Sequence, residues 1–393
     1  MGSLLIENAS VVTPRTIEAN RSVFCGGGKI IDVCGDPSGI PADVCIDAGG
    51  MLLCPGFIDL HMHGVCGLLC DAGKGQLEEI CRVLPRFGVT GFLPGICPAS
   101  SEEEDIALLE ELSQAISEGA GILGFFLEGH YLALTGAISH LTKNMDKGHL
   151  ERLIGAAAPY KPVFAVSPEL EGIAELLPCM TASGYPAFIT HTAAGAEETE
   201  KAIKAGATHA THFYDVFPYC GDKEPGVRGC GAVEAVLANP EASVDFILDG
   251  EHVDPIAVKM AIAAKGPGRV SLITDSNLNA GMPPGRYIGL GGSEIEVLRE
   301  GGPARFPEGS PMAGGLVGSG LTMDVVMRNA IEFLGIDIPQ AVAMVSSNPA
   351  SVLGLKNKGR VEKGFDADLV LLDKSMKVSR CWVGGELRFK SPA

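Results

Sequence analysis

Pro55-Gly56-Phe57-Ile58-Asp59-Leu60-His61-Met62-His63-Gly64 decides how this chain is read. An apolar run climbs out of a Pro-Gly turn and ends in two histidines one residue apart. On a β-strand, residues two apart face the same way, so both imidazoles point to one side. At the C-terminal end of a strand in a barrel or open α/β sheet, that side is where metal ligands and catalytic groups collect. A lone His-x-His is weak by itself, and its partners must be sought along the chain.

Working outward, apolar β-rich runs recur at 52–60, 89–93, 122–127, 163–166, 187–190, 209–213, 244–248 and 270–274. Helical patterns separate most of them, at 101–117, 196–205, 255–265 and 319–334. In the first, Ser101 and Glu104 form a capping box, and Ile106, Leu109, Leu112 and Ile116 share one face. Strands alternating with helices over about 300 residues predict a (β/α)8 TIM-like barrel. An open doubly wound sheet is the competitor, but the first βα turn has no Gly-x-Gly-x-x-Gly. Both chain ends are β-rich, at 3–12, 21–33 and 44–47 and at 368–373, 378–383 and 386–389, with Gly384-Gly385 as a tight turn. Neither end alone could bury a sheet face. One small β-sandwich domain built from both termini is expected, residues 1–52 plus 354–393, around a barrel of 53–353.

The chain has 393 residues, 46% hydrophobic and 20% charged, enough for a large core. Forty-eight acidic against thirty basic residues give a net charge of −18, which argues against nucleic-acid binding and would repel a free anionic substrate unless local positive charge or a metal reverses the field. Twelve cysteines carry no Cys-x-x-Cys pair, so reduced thiols in a cytoplasmic setting are expected. Cys66 and Cys70 are read as core residues before ligands. No signal peptide and no membrane span are expected.

The ends of the expected strands carry the chemistry. His61 and His63 end the first, Glu128 the third, His191 the fifth, His212 the sixth, Asp249-Gly250-Glu251-His252 the seventh and Asp275 the eighth. Five of the nine histidines stand there. A satisfied core or surface histidine explains any one of them; a barrel brings all these ends to one rim. Imidazole and carboxylate ligands suit zinc or a similar divalent ion, with an open position for catalysis. Such an ion lowers the pKa of water from 15.7 to about 7. Asp275 can then act as base and afterwards as acid, which suits hydrolysis of amides or related C–N bonds. Of the other histidines, His209 should face away from His212, His149 looks solvent-facing, and His130 and His140 lie in the loop after Glu128 as candidate substrate contacts.

These residues resemble a known family. Residues 55–63 and Gly-Arg-Val-Glu-Lys-Gly-Phe-Asp-Ala-Asp-Leu-Val (359–370) are similar to the amidohydrolase superfamily. Leu-Glu-Gly (127–129), residues 205–212, Glu-Pro-Gly (224–226), Asp-Gly-Glu-His (249–252), Leu-Ile-Thr-Asp (272–275) and residues 318–323 resemble its N-acetylglucosamine-6-phosphate deacetylases. The resemblance implies a barrel with a small β-domain from both termini. It implies Glu128, His191 and His212 as ligands of the main metal, and His61 and His63 as ligands of a second. Asp275 is the implied general base and acid, and His140 a catalytic histidine near the scissile carbonyl. His252, Asp215, Val216, Lys223 and Leu316 are the implied substrate contacts. One or two divalent ions are implied, zinc first, with iron, manganese or cobalt as alternatives, and a homodimer in which Lys223 or Arg228 reaches a partner's site.

Three departures bear on substrate. His130 follows Gly129 where the family has proline. Asp215 replaces an asparagine that helps to hold the sugar phosphate, and Lys223 stands for an arginine, giving a point charge in place of a bidentate fork. The expected reaction is deacetylation of N-acetylglucosamine 6-phosphate. The alternatives are the same machinery on another or unphosphorylated N-acyl amino sugar, and a non-catalytic barrel. The cyclic-amidase branch fits poorly, because the stretch 163–169 offers no lysine to bridge two metals.

Overall fold

The structure, a computed structural model, describes residues 2–392 except 139–140, 143, 290–291 and 300. His140 therefore lies outside the described residues. The apolar runs form eight barrel strands: β1 (Phe57–Met62), β2 (Val89–Ile96), β3 (Phe125–Tyr131), β4 (Pro162–Val166), β5 (Phe188–Ile189), β6 (His209–Ala210), β7 (Ser243–Ile247) and β8 (Val270–Ile273). Each pairs in parallel with the next. The ring closes between β8 and β1: the Asp275 amide donates to the His61 carbonyl at 2.9 Å and the His63 amide to the Ser276 carbonyl at 2.8 Å. Below them the Thr274 hydroxyl donates to Asp59 Oδ2 at 2.6 Å. Burial pushes the Asp59 carboxyl up to about 7 despite these hydrogen bonds.

The interior of the ring holds the buried rings of Phe126 and Phe188, with centroids 5.5 Å apart, and the His61 ring lies 4.3 Å from Phe126. Every residue of β1, β2 and β3 is buried, as strands covered on both faces require. A second sheet is assembled from both ends of the chain. Its order runs from Glu386–Lys390 through Val378–Val383, Leu369–Leu372, Leu52–Pro55 and Leu4–Val12 to Ile17–Gly26 and Lys29–Cys34. Ile6, Val23, Ile30, Leu53, Leu369 and Trp382 form its separate core.

Several local expectations need correction. The run 52–60 is not one strand. Leu52–Pro55 pairs antiparallel with Leu369–Leu372 in the terminal sheet, and β1 begins only after Gly56. A Cβ at Gly56 would sit 2.1 Å from Thr90 Oγ1, so the chain can turn there only as glycine. The run 122–127 divides likewise, into Gly121–Ile122 and β3. The helix expected over 101–117 ends at Leu112. Ser101 caps it through the Glu104 amide at 3.3 Å, but Ser113 closes it and Ile116 is exposed. His149 is buried rather than solvent-facing, because Glu102 of that helix sits 3.4 Å from its Nδ1. His130 is also buried, turned away from the rim toward Asp105, with Nε2 3.5 Å from Oδ2. Cys66 and Cys70 stay outside the ligand cluster, the Cys70 thiol donating to the Met62 carbonyl.

Candidate metal and catalytic site

Four histidines converge on one carboxylate at the C-terminal mouth of the barrel. Glu128 Oε1 lies 3.3 Å from His191 Nε2 and 3.1 Å from His212 Nε2. Its Oε2 lies 3.2 Å from His61 Nε2 and 2.9 Å from His63 Nε2. Asp275 Oδ1 completes the second lobe, 3.4 Å from His61 Nε2 and 3.5 Å from His63 Nε2. One donor each from His61, Glu128 and His212 falls within 4.8 Å of the others, and so do those of His61, His63 and Asp275. The glutamate therefore faces a histidine pair with each oxygen.

The backbone is bent to make this. His191, His212 and Asp275 adopt left-handed φ values of 49°, 33° and 42° where β5, β6 and β8 give way to their loops, and Val216 has φ 55°. Such conformations cost about 1–3 kcal/mol each and concentrate at functional sites. Neighbours fix the rings. His191 Nδ1 lies 3.0 Å from the Leu134 carbonyl; a carbonyl only accepts, so Nδ1 carries a proton, and the neutral ring presents its Nε2 lone pair to the cluster. Glu169, after β4, accepts from Thr192 Oγ1 at 2.5 Å and from the Ala193 amide at 2.8 Å, which pins the turn after His191.

Charge explains the electrostatics. Burial alone would raise the Glu128 carboxyl, but His61, His191 and His212 hold it well below the usual range. Burial would depress His212, yet Glu128, with Asp275 and Asp215, pulls it up to about 10. His252 sits 2.7 Å from Asp249 Oδ2 through Nδ1. Burial lowers it, and Asp249 more than offsets this and raises it above its ordinary value.

A cavity of about 820 Å³ opens above the cluster, and His63, Glu128, His191, His212 and Asp275 form part of its lining. His252, Asp215, Val216 and Leu316 stand in the same wall, while Asp71, Cys97 and Leu108 line the His63 side. Lys223 is different. It lies on an exposed hairpin, Asp222–Glu224 with Val227–Arg228, and is not among the lining residues. Arg228 on the same hairpin pairs with Glu234 at 3.1 Å.

A family model described as the amidohydrolase family matches residues 52–388. The chain belongs to the amidohydrolase family. Among curated relatives, it is 32% identical over 343 residues to N-acetylgalactosamine-6-phosphate deacetylase of Escherichia coli O157:H7, covering 86% of this chain and 87% of that protein. It is 30% identical over 358 residues to N-acetylglucosamine-6-phosphate deacetylase of Mus musculus, covering 88% and 85%. Among solved structures, a mutant N-acetyl-D-glucosamine-6-phosphate deacetylase of Mycobacterium smegmatis in complex with N-acetyl-D-glucosamine-6-phosphate superposes with a TM-score of 0.86 at 28% identity, covering 99% of this chain and all (100%) of that one. The deacetylase of Thermotoga maritima gives 0.81 at 28%, covering 98% and 100%. This amidohydrolase is a metal-dependent enzyme by its family, and its donor set fits that requirement: buried imidazole nitrogens around an ionised carboxylate.

Sequence reasoning overlooked the glycines that make room for the rings. A Cβ at Gly95 would come 2.7 Å from His63 Cε1 and 3.2 Å from the Met62 carbonyl oxygen. One at Gly136 would come 2.5 Å from His191 Cε1. Gly95 lies inside β2, and nothing in the sequence around it signals this contact. Gly95→Ala is expected to push the His63 ring out of register, lowering metal content at the His61/His63 lobe about 10-fold while the unfolding midpoint moves little. Elemental analysis beside a thermal melt measures both.

Proposed function

We propose that the enzyme removes the N-acetyl group of an amino sugar phosphate, with N-acetylglucosamine 6-phosphate giving glucosamine 6-phosphate and acetate. The observation that carries this is the Glu128 carboxylate shared between two histidine pairs, with Asp275 beside it and His252 in the wall above. Glu128, His191 and His212 are assigned to a first ion, and His61 and His63, with Asp275, to a second. Zinc is the preferred metal, with iron, manganese or cobalt as alternatives. A divalent ion held there lowers the pKa of water and polarises the scissile carbonyl.

The residues supply the rest. Asp275 takes the proton of the attacking water and returns it to the departing amide nitrogen, as one carboxylate serving first as base and then as acid. His252, whose charged form Asp249 favours, attracts the phosphate within a chain of net charge −18. Asp215 occupies the same wall and raises both His212 and His252, so its charge falls on two imidazoles rather than on phosphate alone. Val216 and Leu316 bound the sugar. Lys223, remote from its own cavity, is assigned to the site of a partner subunit in a homodimer. A cytoplasmic setting without nucleic-acid or membrane partners fits the acidic composition. Among the described residues, no helix is long and apolar enough to cross a membrane.

The 32% relative named for the galactosamine series favours that epimer as the second reading. Assays with N-acetylglucosamine 6-phosphate, its galactosamine epimer and both unphosphorylated sugars test the proposal. Phosphate is expected to raise kcat/KM by at least ~10²-fold, the scale of two or more charge-assisted hydrogen bonds. Equal rates with and without phosphate would overturn the assignment of His252. The pH dependence has a definite sign. His252 is protonated below its raised pKa, so KM for the phosphorylated sugar should rise as pH climbs through that value. His252→Asn should flatten the rise, while KM for the unphosphorylated sugar stays level.

A further inference from the structure

Beneath the site, a buried carboxylate that does not line the cavity is bonded to one lobe directly and to the other through a hydroxyl. Asp245, on β7, is completely buried. Its Oδ1 accepts from the His212 amide at 2.6 Å and from the Thr211 hydroxyl at 3.0 Å. Its Oδ2 is held by His209 Nε2 at 2.8 Å. Thr211 Oγ1 in turn lies 3.3 Å from His61 Nδ1. The same carboxylate thus holds the backbone of a residue in one lobe and, one hydroxyl away, the ring of a residue in the other.

Counting protons fixes the direction of this chain of bonds. A threonine hydroxyl has one proton to give. Asp245 is an acceptor, and the Thr211 proton goes to it. Toward His61 the Thr211 oxygen can then only accept, which requires the proton of His61 on Nδ1. In the neutral ring Nε2 is then left bare, and Nε2 is the nitrogen facing Glu128, His63 and Asp275. Without the carboxylate, the hydroxyl is free to donate to Nδ1, and the proton moves to Nε2, where it blocks coordination.

We infer that Asp245, acting through Thr211, is a positioning residue that sets the tautomer of His61 and so prepares the second lobe to take a divalent ion. The inference rests on the assignment of His61 and His63 as ligands.

Two readouts test it apart from activity. The first is metal bound per subunit, from elemental analysis after equilibration across buffered zinc concentrations. The second is the 15N spectrum of labelled histidine in metal-free protein at alkaline pH, with His61 identified by His61→Asn. Thr211→Val should weaken one of the two bound ions ~10–100-fold and leave the other unchanged, whereas Thr211→Ser should behave as wild type. Asp245→Asn keeps an acceptor oxygen and should keep the Nδ1–H form; Asp245→Ala should convert His61 toward Nε2–H. If Asp245→Ala fails to fold, the Thr211 pair carries the test. Wild-type affinity for both ions in Thr211→Val, or an Nε2–H proton on His61 in the wild type, overturns the inference. A wild type that binds only one ion would instead refute the two-ion assignment, and the tautomer spectrum would still decide the role of Asp245.

Discussion

Glu128→Gln should reduce kcat/KM by at least ~10³-fold and strip metal from both lobes at once, because the donor it weakens is shared. A carboxamide of the same shape offers one neutral oxygen where the carboxylate gives Oε1 to His191 and His212 and Oε2 to His61 and His63. The loss should also register in metal-free protein, where the carboxylate is the counter-charge of buried imidazoles. Removing one partner of a buried ion pair costs roughly 3–5 kcal/mol. The pH window follows from the shifts. His212, raised to about 10, stabilises the fold fully below its unfolded value of about 6.5, and this is lost as pH rises toward 10. Glu128, depressed, contributes above its unfolded value of about 4.5 and loses that as pH falls through its folded value. The variant should therefore fall furthest below wild type near pH 5–6 and approach it under alkaline conditions. Chemical denaturation in the presence of a chelator measures this. A variant with full activity and full metal content would remove Glu128 from the centre.

Asp275→Asn should separate chemistry from binding. Asparagine can neither take a proton from water nor return one to the leaving nitrogen, so kcat should fall about 10²–10⁴-fold. Glu128, His191 and His212 are untouched, so one ion per subunit should remain, and KM should change by less than ~3-fold. The backbone amide of residue 275, which joins β8 to the His61 carbonyl, is retained, so the variant should melt close to wild type. Loss of the ion together with kcat would mean that Asp275 acts mainly as a ligand.

The barrel and much of its rim were legible because the signal lies in single apolar runs that end in a His, Glu or Asp. His61, Glu128, His191, His212, His252 and Asp275 each stand at or just past such a run, and parallel strands bring those ends together. The misreadings have physical causes. Leu52–Leu60 is one continuous apolar run, and only the pairing of Leu52–Pro55 with Leu369–Leu372 and of β1 with β2 reveals that it serves two sheets. The helix at 101–117 was overextended because Ile116 keeps the helical spacing after Ser113 has turned its hydroxyl back to the Glu110 carbonyl. His149 and His130 read as accessible because their partners, half-buried Glu102 and buried Asp105, come from the helix Glu102–Leu112, far from either histidine in sequence. Thr211 and Asp245 carried no signal at all: one polar residue in an apolar strand looks like a surface position until its hydrogen bonds are known.

The seam between β8 and β1 has a kinetic consequence. Thr274 and Asp59, which bond across it, are 215 residues apart in sequence, so the ring closes through the most distant pairing among its own eight strands and should do so after the other barrel pairings form. The same seam brings Asp275 to His61 and His63. An ion in that lobe binds only the closed ring, and by mass action it deepens the closed state with the logarithm of its free concentration above Kd. The amides of His63 and Asp275, which cross the seam, should therefore exchange with deuterated solvent more slowly as metal is titrated in. The Leu369–Leu372 amides, in the terminal sheet, should serve as the unaffected clock.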